Sequence, residues 1–298
     1  MPDRNAVPDR TAEPVDVVVV SFNSSLDLDA CLLSCRESVT ADGTPNVGAI
    51  VVVDNGSADA AAAQTVAARH SARFVPTGAN LGFARATNIG VSLTGSAYVL
   101  LLNPDATLEP DAVAVLDRAL DADLAVGVAG PRVVAADGAT YPSARSFPSI
   151  VDAAGHAFLG LVRPDNRYSR RYKHPESPDW VSGTAMLLRR EAFEAIGGFD
   201  EDYFMYVEDV DFCWRLTRRG WNVAYVDGAV VRHLIGGSSE HHPYRMVVAH
   251  HRSLWRFAVR SERGWRRVLL PAVAIGLFAR TGMAWIQRLV RGRPHAAM

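Results

Sequence analysis

Short apolar runs alternate with helix-patterned stretches along the first third of the chain. The runs at 15–20, 49–53, 73–75 and 97–102 read as strands. Between them, 26–38, 58–70 and 83–93 place apolar residues at helical spacing, the middle one rich in alanine. Near-continuous valine and leucine in a strand suits a parallel sheet covered on both faces. The β-α-β-α-β-α-β order predicts an α/β protein, a nucleotide-binding, mostly parallel sheet flanked by helices with right-handed crossovers. Architecture of this kind names no reaction.

The pattern changes after the fourth strand. Residues 138–178 carry Pro142, Pro148, Pro164, Pro175 and Pro178 among aromatic and basic residues, which predicts a long functional loop around one short helix. A strand resumes over 180–188. Apolar positions from Tyr203 to Leu216 then return to helical spacing, with Glu208, Asp209 and Asp211 at the first turn, where the helix dipole favours acids. Near the end, Val268 to Ala279 is an apolar run containing Pro271 and Gly276 and flanked by Trp265, Trp285 and several arginines. Spanning a bilayer takes about 20 apolar residues. The run therefore predicts a membrane-associating helix lying on anionic lipid; a helix packed on the main domain is the competing reading.

Charge sharpens that division. The chain of 298 residues has a net charge of −1, yet from Arg252 onward ten arginines face the single acid Glu262. An acidic body with a basic end points to an anionic neighbour, membrane or nucleic acid. The three cysteines, Cys31, Cys35 and Cys213, form no paired framework and imply a reducing compartment. Cys31 and Cys35, four apart in an apolar helical stretch, read as buried and structural. Met1 to Glu13 is polar, shows no signal-peptide pattern and is expected to be disordered. The expected organisation is a disordered 1–13, a catalytic domain over 14–240, and basic amphipathic helices over 241–298.

Chemistry concentrates where strands end. Ile50-Val51-Val52-Val53 runs into Asp54-Asn55-Gly56-Ser57, and Tyr98 to Leu102 runs into Asn103-Pro104-Asp105. The crevice beyond the carboxyl ends of the strands is the usual ligand site in open α/β sheets. A hard divalent cation there takes oxygen ligands and substrate phosphates. The bland alternative is that these residues are ordinary turn formers.

Six segments in order, Val19-Val20-Ser21-Phe22-Asn23, Val53-Asp54-Asn55-Gly56-Ser57, Asn80-Leu81-Gly82-Phe83-Ala84, Leu102-Asn103-Pro104-Asp105, Trp180-Val181-Ser182-Gly183 and Glu208-Asp209-Val210-Asp211, resemble family 2 glycosyltransferases, which have a GT-A fold. Within that family, Tyr141-Pro142-Ser143-Ala144-Arg145 and Phe199 to Tyr206 look like the bacterial rhamnosyltransferases that act on N-acetylglucosaminyl-diphosphoryl-polyprenol in actinobacterial cell-wall linker assembly. The likeness covers roughly residues 14–255, each piece being weak alone and the ordered set specific.

The resemblance implies an inverting transfer of L-rhamnose from dTDP-L-rhamnose to that polyprenol-linked sugar, with Mg²⁺ or Mn²⁺ as cofactor. It implies Asp105 and His233 as metal ligands; a structural His is the competing reading. Asn103 stands where the family usually has the first acid of Asp-X-Asp, which leaves fewer charged ligands. Phe22, Asn23, Asp54, Asn80, Arg85, Asn103 and Asp105 are implied in donor binding. The alternatives for Phe22 and Arg85 are core packing and a solvated helix face. Asp209 is implied as the catalytic base, with Glu208 and Trp180 on the acceptor; Trp180 also reads as a core tryptophan. Asp211 fits a helix cap.

The implied setting is cytoplasmic and peripheral on the inner face of the plasma membrane, with the membrane met through the C-terminal region. Another family 2 transferase, moving galactofuranose, glucose or a different deoxyhexose, is the nearest alternative. A non-catalytic carbohydrate-binding protein is a further rival. A nucleic-acid binder is disfavoured by the acidic body and the lack of any recognised motif, so no nucleic-acid partner is expected. Oligomeric state is not legible.

Overall fold

The computed structural model of the chain describes residues 13–149, 178–233 and 243–291. The expected disordered start and most of the irregular stretch at 138–178, with its short helix, lie outside the described residues. Strands β1 (Val15–Ser21), β2 (Val47–Asp54), β3 (Arg73–Pro76) and β4 (Tyr98–Leu102) alternate with α1 (Ser25–Arg36), α2 (Ala60–Arg69) and α3 (Phe83–Ser92). They lie in the order β3-β2-β1-β4, all parallel, with Val18 paired to both Val51 and Leu101.

Two cores explain the unbroken apolar runs. Val17, Val19, Leu100 and Leu102 face one layer with Leu28 and Leu32 of α1 and Leu116 of α4 (Ala112–Ala122). Val18, Val99 and Leu101 face the other, with Met186, Phe193 and Phe212. Successive side chains of a strand point to opposite faces, so a strand covered on both must be apolar at every position. Helix α1 needs only one stripe: Leu28, Cys31, Leu32 and Cys35 recur at helical spacing and are buried.

The second half extends the sheet. β5 (Ala106–Leu108), β6 (Val126–Ala135), β7 (Thr140–Tyr141), β8 (Ala144–Arg145), β9 (Trp180–Val181) and β10 (Ala185–Arg189) follow in turn. After them come α5 (Arg190–Ala195), α6 (Glu208–Arg218) and β11 (Asn222–His233). From β4 the sheet continues β10-β6-β11-β5, with β10 antiparallel to β4 and β6, and β11 parallel to β6. The single strand expected over 180–188 is two strands. Trp180 and Val181 pair with Arg145 and Ala144 in a separate ribbon, and Ala185 onward joins the main sheet. Between them the Ser182 and Thr184 hydroxyls lie 3.0 Å apart and the Thr184 N–H donates to Ser182 Oγ, local bonds that compete with strand pairing.

The described residues fall into two compact units. One holds the sheet and helices α1 to α6. The other holds Met205–Val207 and residues 243–291, where α7 (Pro243–Ser261) and α8 (Leu270–Arg291) are joined through a 3₁₀ turn at Gly264–Leu269. The expected domain boundary near 240 thus omits the Met205–Val207 segment. Leu270 and Val273 of α8 are buried against Ala258 of α7. Pro271 does not break α8, because the first helical turn needs no intrahelical N–H donor. No helix among the described residues is long and apolar enough to cross a membrane.

Candidate active site

Three loops at the carboxyl ends of the parallel strands are stitched together. Asn23, at φ 52°, donates its N–H to Ser57 Oγ (3.0 Å), and its Oδ1 accepts the Ala58 N–H (2.7 Å). A positive φ is tolerable for Asn because its short polar side chain offsets the cost by hydrogen bonding, here to the Ala58 N–H. At Gly56 (φ 79°) an added Cβ would fall 2.5 Å from the Ala79 carbonyl carbon, so the loop after β3 closes tightly on the loop after β2. Asn55 then bridges them, its Nδ2 donating to Asn80 Oδ1 (3.1 Å) and its Oδ1 accepting the Leu81 N–H (2.8 Å).

Inside this cradle Asp54 is buried. Its Oδ2 accepts the Ser57 N–H (3.2 Å), while Oδ1 is buried with no partner among the described residues. A buried carboxylate oxygen without a donor is costly unless a ligand supplies one. Phe22 beside it is 37% exposed, which removes the core-packing alternative. Asn80 commits its amide oxygen to Asn55 and to the Gly82 N–H (3.0 Å) and so braces the loop. Arg85 is ion-paired to Glu201 (2.7 Å) on a half-exposed surface, so a phosphate would have to exchange for that partner.

Asp105 and His233 meet although 128 residues separate them, their Oδ1 and Nε2 standing 3.0 Å apart with both side chains largely buried. Strand pairing explains the meeting. β5 begins one residue after Asp105 and runs antiparallel to β11, which sets Ala106 opposite His233. His233 Nδ1 is buried without a partner among the described residues. Asn103 acts through its backbone, with its N–H donating to the Thr184 carbonyl (2.9 Å) and its own carbonyl accepting the Cys31 thiol (3.5 Å).

The acid pair opens α6. Tyr206 (φ 66°) and Val207 (φ 68°) just before it occupy the left-handed region, at about 1–3 kcal/mol each for non-glycine residues. Glu208 is buried and its Oε2 has no partner among the described residues. Burial, then the adjacent Asp209 charge, pushes its carboxyl up to about 8. Asp209 is also raised by burial, but four groups oppose that: the Gly183 N–H on Oδ2 (3.0 Å), the Val210 N–H on Oδ1 (2.8 Å), its own backbone N–H and the charge of Arg145. Asp211, expected to cap the helix, instead takes Arg215 (2.7 Å) and the Tyr203 hydroxyl on its buried carboxylate.

Gly183 and Thr184 tie the two halves of the site together: one donates to Asp209, the next accepts from Asn103. The interruption between β9 and β10 thus brings the metal-type motif and the acid pair to one place. Trp180 lies half-buried on the same segment, its indole N–H donating to the Ser146 carbonyl (3.0 Å). Reading the sequence missed Asn55, Gly183 and the role of Arg145. The Asn-Gly pair after β2 and a Ser-Gly-Thr interruption in an apolar strand were the available signals.

Comparison with known proteins gives the family and the fold. The model of the Glycosyl transferase family 2 matches residues 16–197. The chain is 34% identical over 271 residues to an N-acetylglucosaminyl-diphospho-decaprenol L-rhamnosyltransferase of Mycobacterium tuberculosis, covering 85% of this chain and 87% of that protein. A mannosyltransferase of Pyrobaculum calidifontis, solved with GDP-Man and Mn²⁺, superposes at TM-score 0.58 and 19% identity, over 97% of this chain and 79% of that one. GalNAc-T7, solved with UDP, GalNAc and Mn²⁺, does so at 0.57 and 14%, over 77% and 45%. These two likenesses show the shared fold.

Proposed function

The chain belongs to glycosyl transferase family 2, and from that premise we propose that it transfers L-rhamnose from dTDP-L-rhamnose to N-acetylglucosaminyl-diphospho-polyprenol with inversion. The observation that carries the reaction is the joining of Asn103-Pro104-Asp105 to Asp209 through consecutive residues of one segment. The extended identity to the mycobacterial enzyme supports the choice of sugar and acceptor.

Each residue has a task that its surroundings permit. Asp54 Oδ1, buried and lacking a donor, is matched to the N–H of a pyrimidine imide, with Phe22 lining the base pocket beside Asn23. Asp105 and His233 offer one carboxylate and one imidazole, a donor set suited to Mn²⁺ and acceptable to Mg²⁺. No group of three potential ligands occurs among the described residues. Asp105 and His233 would be the protein ligands of a cation held beside the diphosphate of a bound nucleotide. A divalent cation held there would neutralise charge growing on the departing diphosphate.

Asp209 takes the proton from the attacking acceptor hydroxyl as a general base. Glu208, neutral near pH 7 because its carboxyl sits at about 8, donates a hydrogen bond to the acceptor. Trp180 gives the acceptor sugar a face. A polyprenyl chain keeps the acceptor at the bilayer, and Trp265, Val268, Ile275 and Phe278, exposed among Arg263, Arg266 and Arg267, suit the anionic cytoplasmic face.

The test is Asp209→Asn. Its expected outcome is turnover reduced by about 10³-fold with donor affinity kept, the size of a lost general base. Unchanged turnover would remove Asp209 from the role. Among nucleotide sugars offered with Mn²⁺, dTDP-L-rhamnose is expected to raise the melting temperature most; a larger shift with a UDP-sugar would replace the donor.

A further inference from the structure

Arg145 has no role in the mechanism above, yet the fold holds it with care. Its Nε donates to the Pro142 carbonyl (2.8 Å), and its guanidinium lies 5.4 Å from the Trp180 ring centroid and 5.8 Å from that of Tyr141. The ribbon bearing it is anchored twice: Ser143, buried, donates its hydroxyl to the Pro131 carbonyl of β6 (3.0 Å), and the Ser182 N–H donates to the Ser143 carbonyl (2.7 Å). Gly183, the next residue, donates to Asp209. The ribbon thus sets Arg145 opposite Trp180, three residues before the Gly183 N–H that bonds Asp209, and the charge of Arg145 lowers that carboxyl.

We propose that Arg145 is a positioning residue, the counter-charge that places the negative charge of the Glu208–Asp209 pair on Asp209 and leaves Glu208 as the neutral hydrogen-bond donor. Two adjacent buried carboxyls cannot both be ionised cheaply, and the one with donors and a cation keeps the charge. Asp209 has two backbone N–H donors and the field of Arg145; Glu208 Oε2 has no partner among the described residues. The other titratable groups beside the pair do not compete. Asp211 and Arg215 are bonded to each other, and burial holds the Cys213 thiol neutral. The inference rests on Asp209 being the base.

The experiment is the pH dependence of kcat/KM for the full-length chain carrying Arg145→Gln or Arg145→Lys. Removing the cation is expected to move the acid limb up by about one pH unit, so that activity falls ~10-fold below the limb and recovers above it. Arg145→Lys, which keeps the charge, should hold the limb within about 0.3 unit of the original. It carries the test alone if the glutamine variant does not fold: a shifted limb in the lysine variant overturns the proposal. An unmoved limb in Arg145→Gln also overturns it, as does a higher acceptor KM at unchanged limb position, which would make Arg145 a grip on the acceptor diphosphate. If Asp209→Asn stays active, the functional reading has failed; if Asp209→Asn is inactive while Arg145→Gln is normal, only this inference has failed.

Discussion

The sheet and the C-terminal helices use apolar residues in opposite ways. Along β1 and β4 every aliphatic side chain except Val20 is almost wholly buried, and two layers of helices are needed to achieve that. In the second unit Trp265 is 69% exposed, Val268 73%, Ile275 70% and Phe278 82%, in the arginine-rich segment that follows Arg252. A strand covered by helices on both faces needs apolar residues at every position, whereas the lipid-facing surface proposed for the second unit would turn them outward with cations around them. Hydrophobicity alone does not separate the two. The period of the pattern and the company of charge do.

The sharpest way to break this contrast is to truncate one residue of each kind. Leu100→Ala, at a fully buried β4 position, is expected to cost about 2–5 kcal/mol, through lost burial and the cavity left behind. Phe278→Ala should leave the denaturation midpoint unchanged within about 0.5 kcal/mol and weaken binding to vesicles containing anionic lipid. Urea titration and vesicle co-sedimentation of both variants decide it. A Phe278→Ala penalty equal to that of Leu100→Ala would mean that the ring is covered.

The polar groups invert the contrast with pH. Glu208 has its folded value raised from 4.5 to about 8, chiefly by burial. Below about 4.5 the carboxyl is neutral in folded and unfolded chains alike and costs nothing. As pH rises toward 8 the unfolded chain ionises first, and stability is lost through that window. Glu208→Gln should remove this loss, gaining roughly 2–4 kcal/mol relative to the original chain at pH 8 and little at pH 4.5. The check is the urea midpoint of both chains at the two pH values; equal differences at both would show that Glu208 is not neutral in the fold.

Much of this was legible in the sequence, for identifiable reasons. The parallel strands showed because two-sided burial leaves no polar gap, and the acid pair showed because acids cluster where a helix-patterned stretch opens, although α6 itself begins at Glu208 and not at Tyr203. Asp105 and His233 were named by resemblance, but their contact follows from the β5–β11 pairing, which no local pattern encodes. Glu201 as the partner of Arg85 was hidden for the same reason, lying 116 residues away. The split of 180–188 was hidden because Val181 and Ala185 onward are apolar enough for a continuous strand. Only the side-chain bonding of Ser182 and Thr184 interrupts it, and that interruption is what supplies the Gly183 N–H to Asp209.

The smallest expected effect lies in the second unit and has the opposite sign with pH. His250 sits on α7 with its ring 5.4 Å from that of Tyr206, and burial first, then the charges of His251 and Arg280, lowers it from 6.5 to about 4. His251, bonded to the Thr281 hydroxyl (2.8 Å), is lowered in the same direction by the same kinds of cause. A neutral folded imidazole contributes stability above about 6.5 that is lost as pH falls toward 4, because the unfolded chain takes up the proton first. His250→Phe keeps a ring against Tyr206 and removes one titration. Hydrogen exchange of the α7 amides between pH 7 and pH 5 should then show an acid loosening smaller by about 1–2 kcal/mol than in the original chain, the remainder belonging to His251. An unaltered loosening would mean that His250 already takes its proton in the fold, and the two units would then share one direction of pH response.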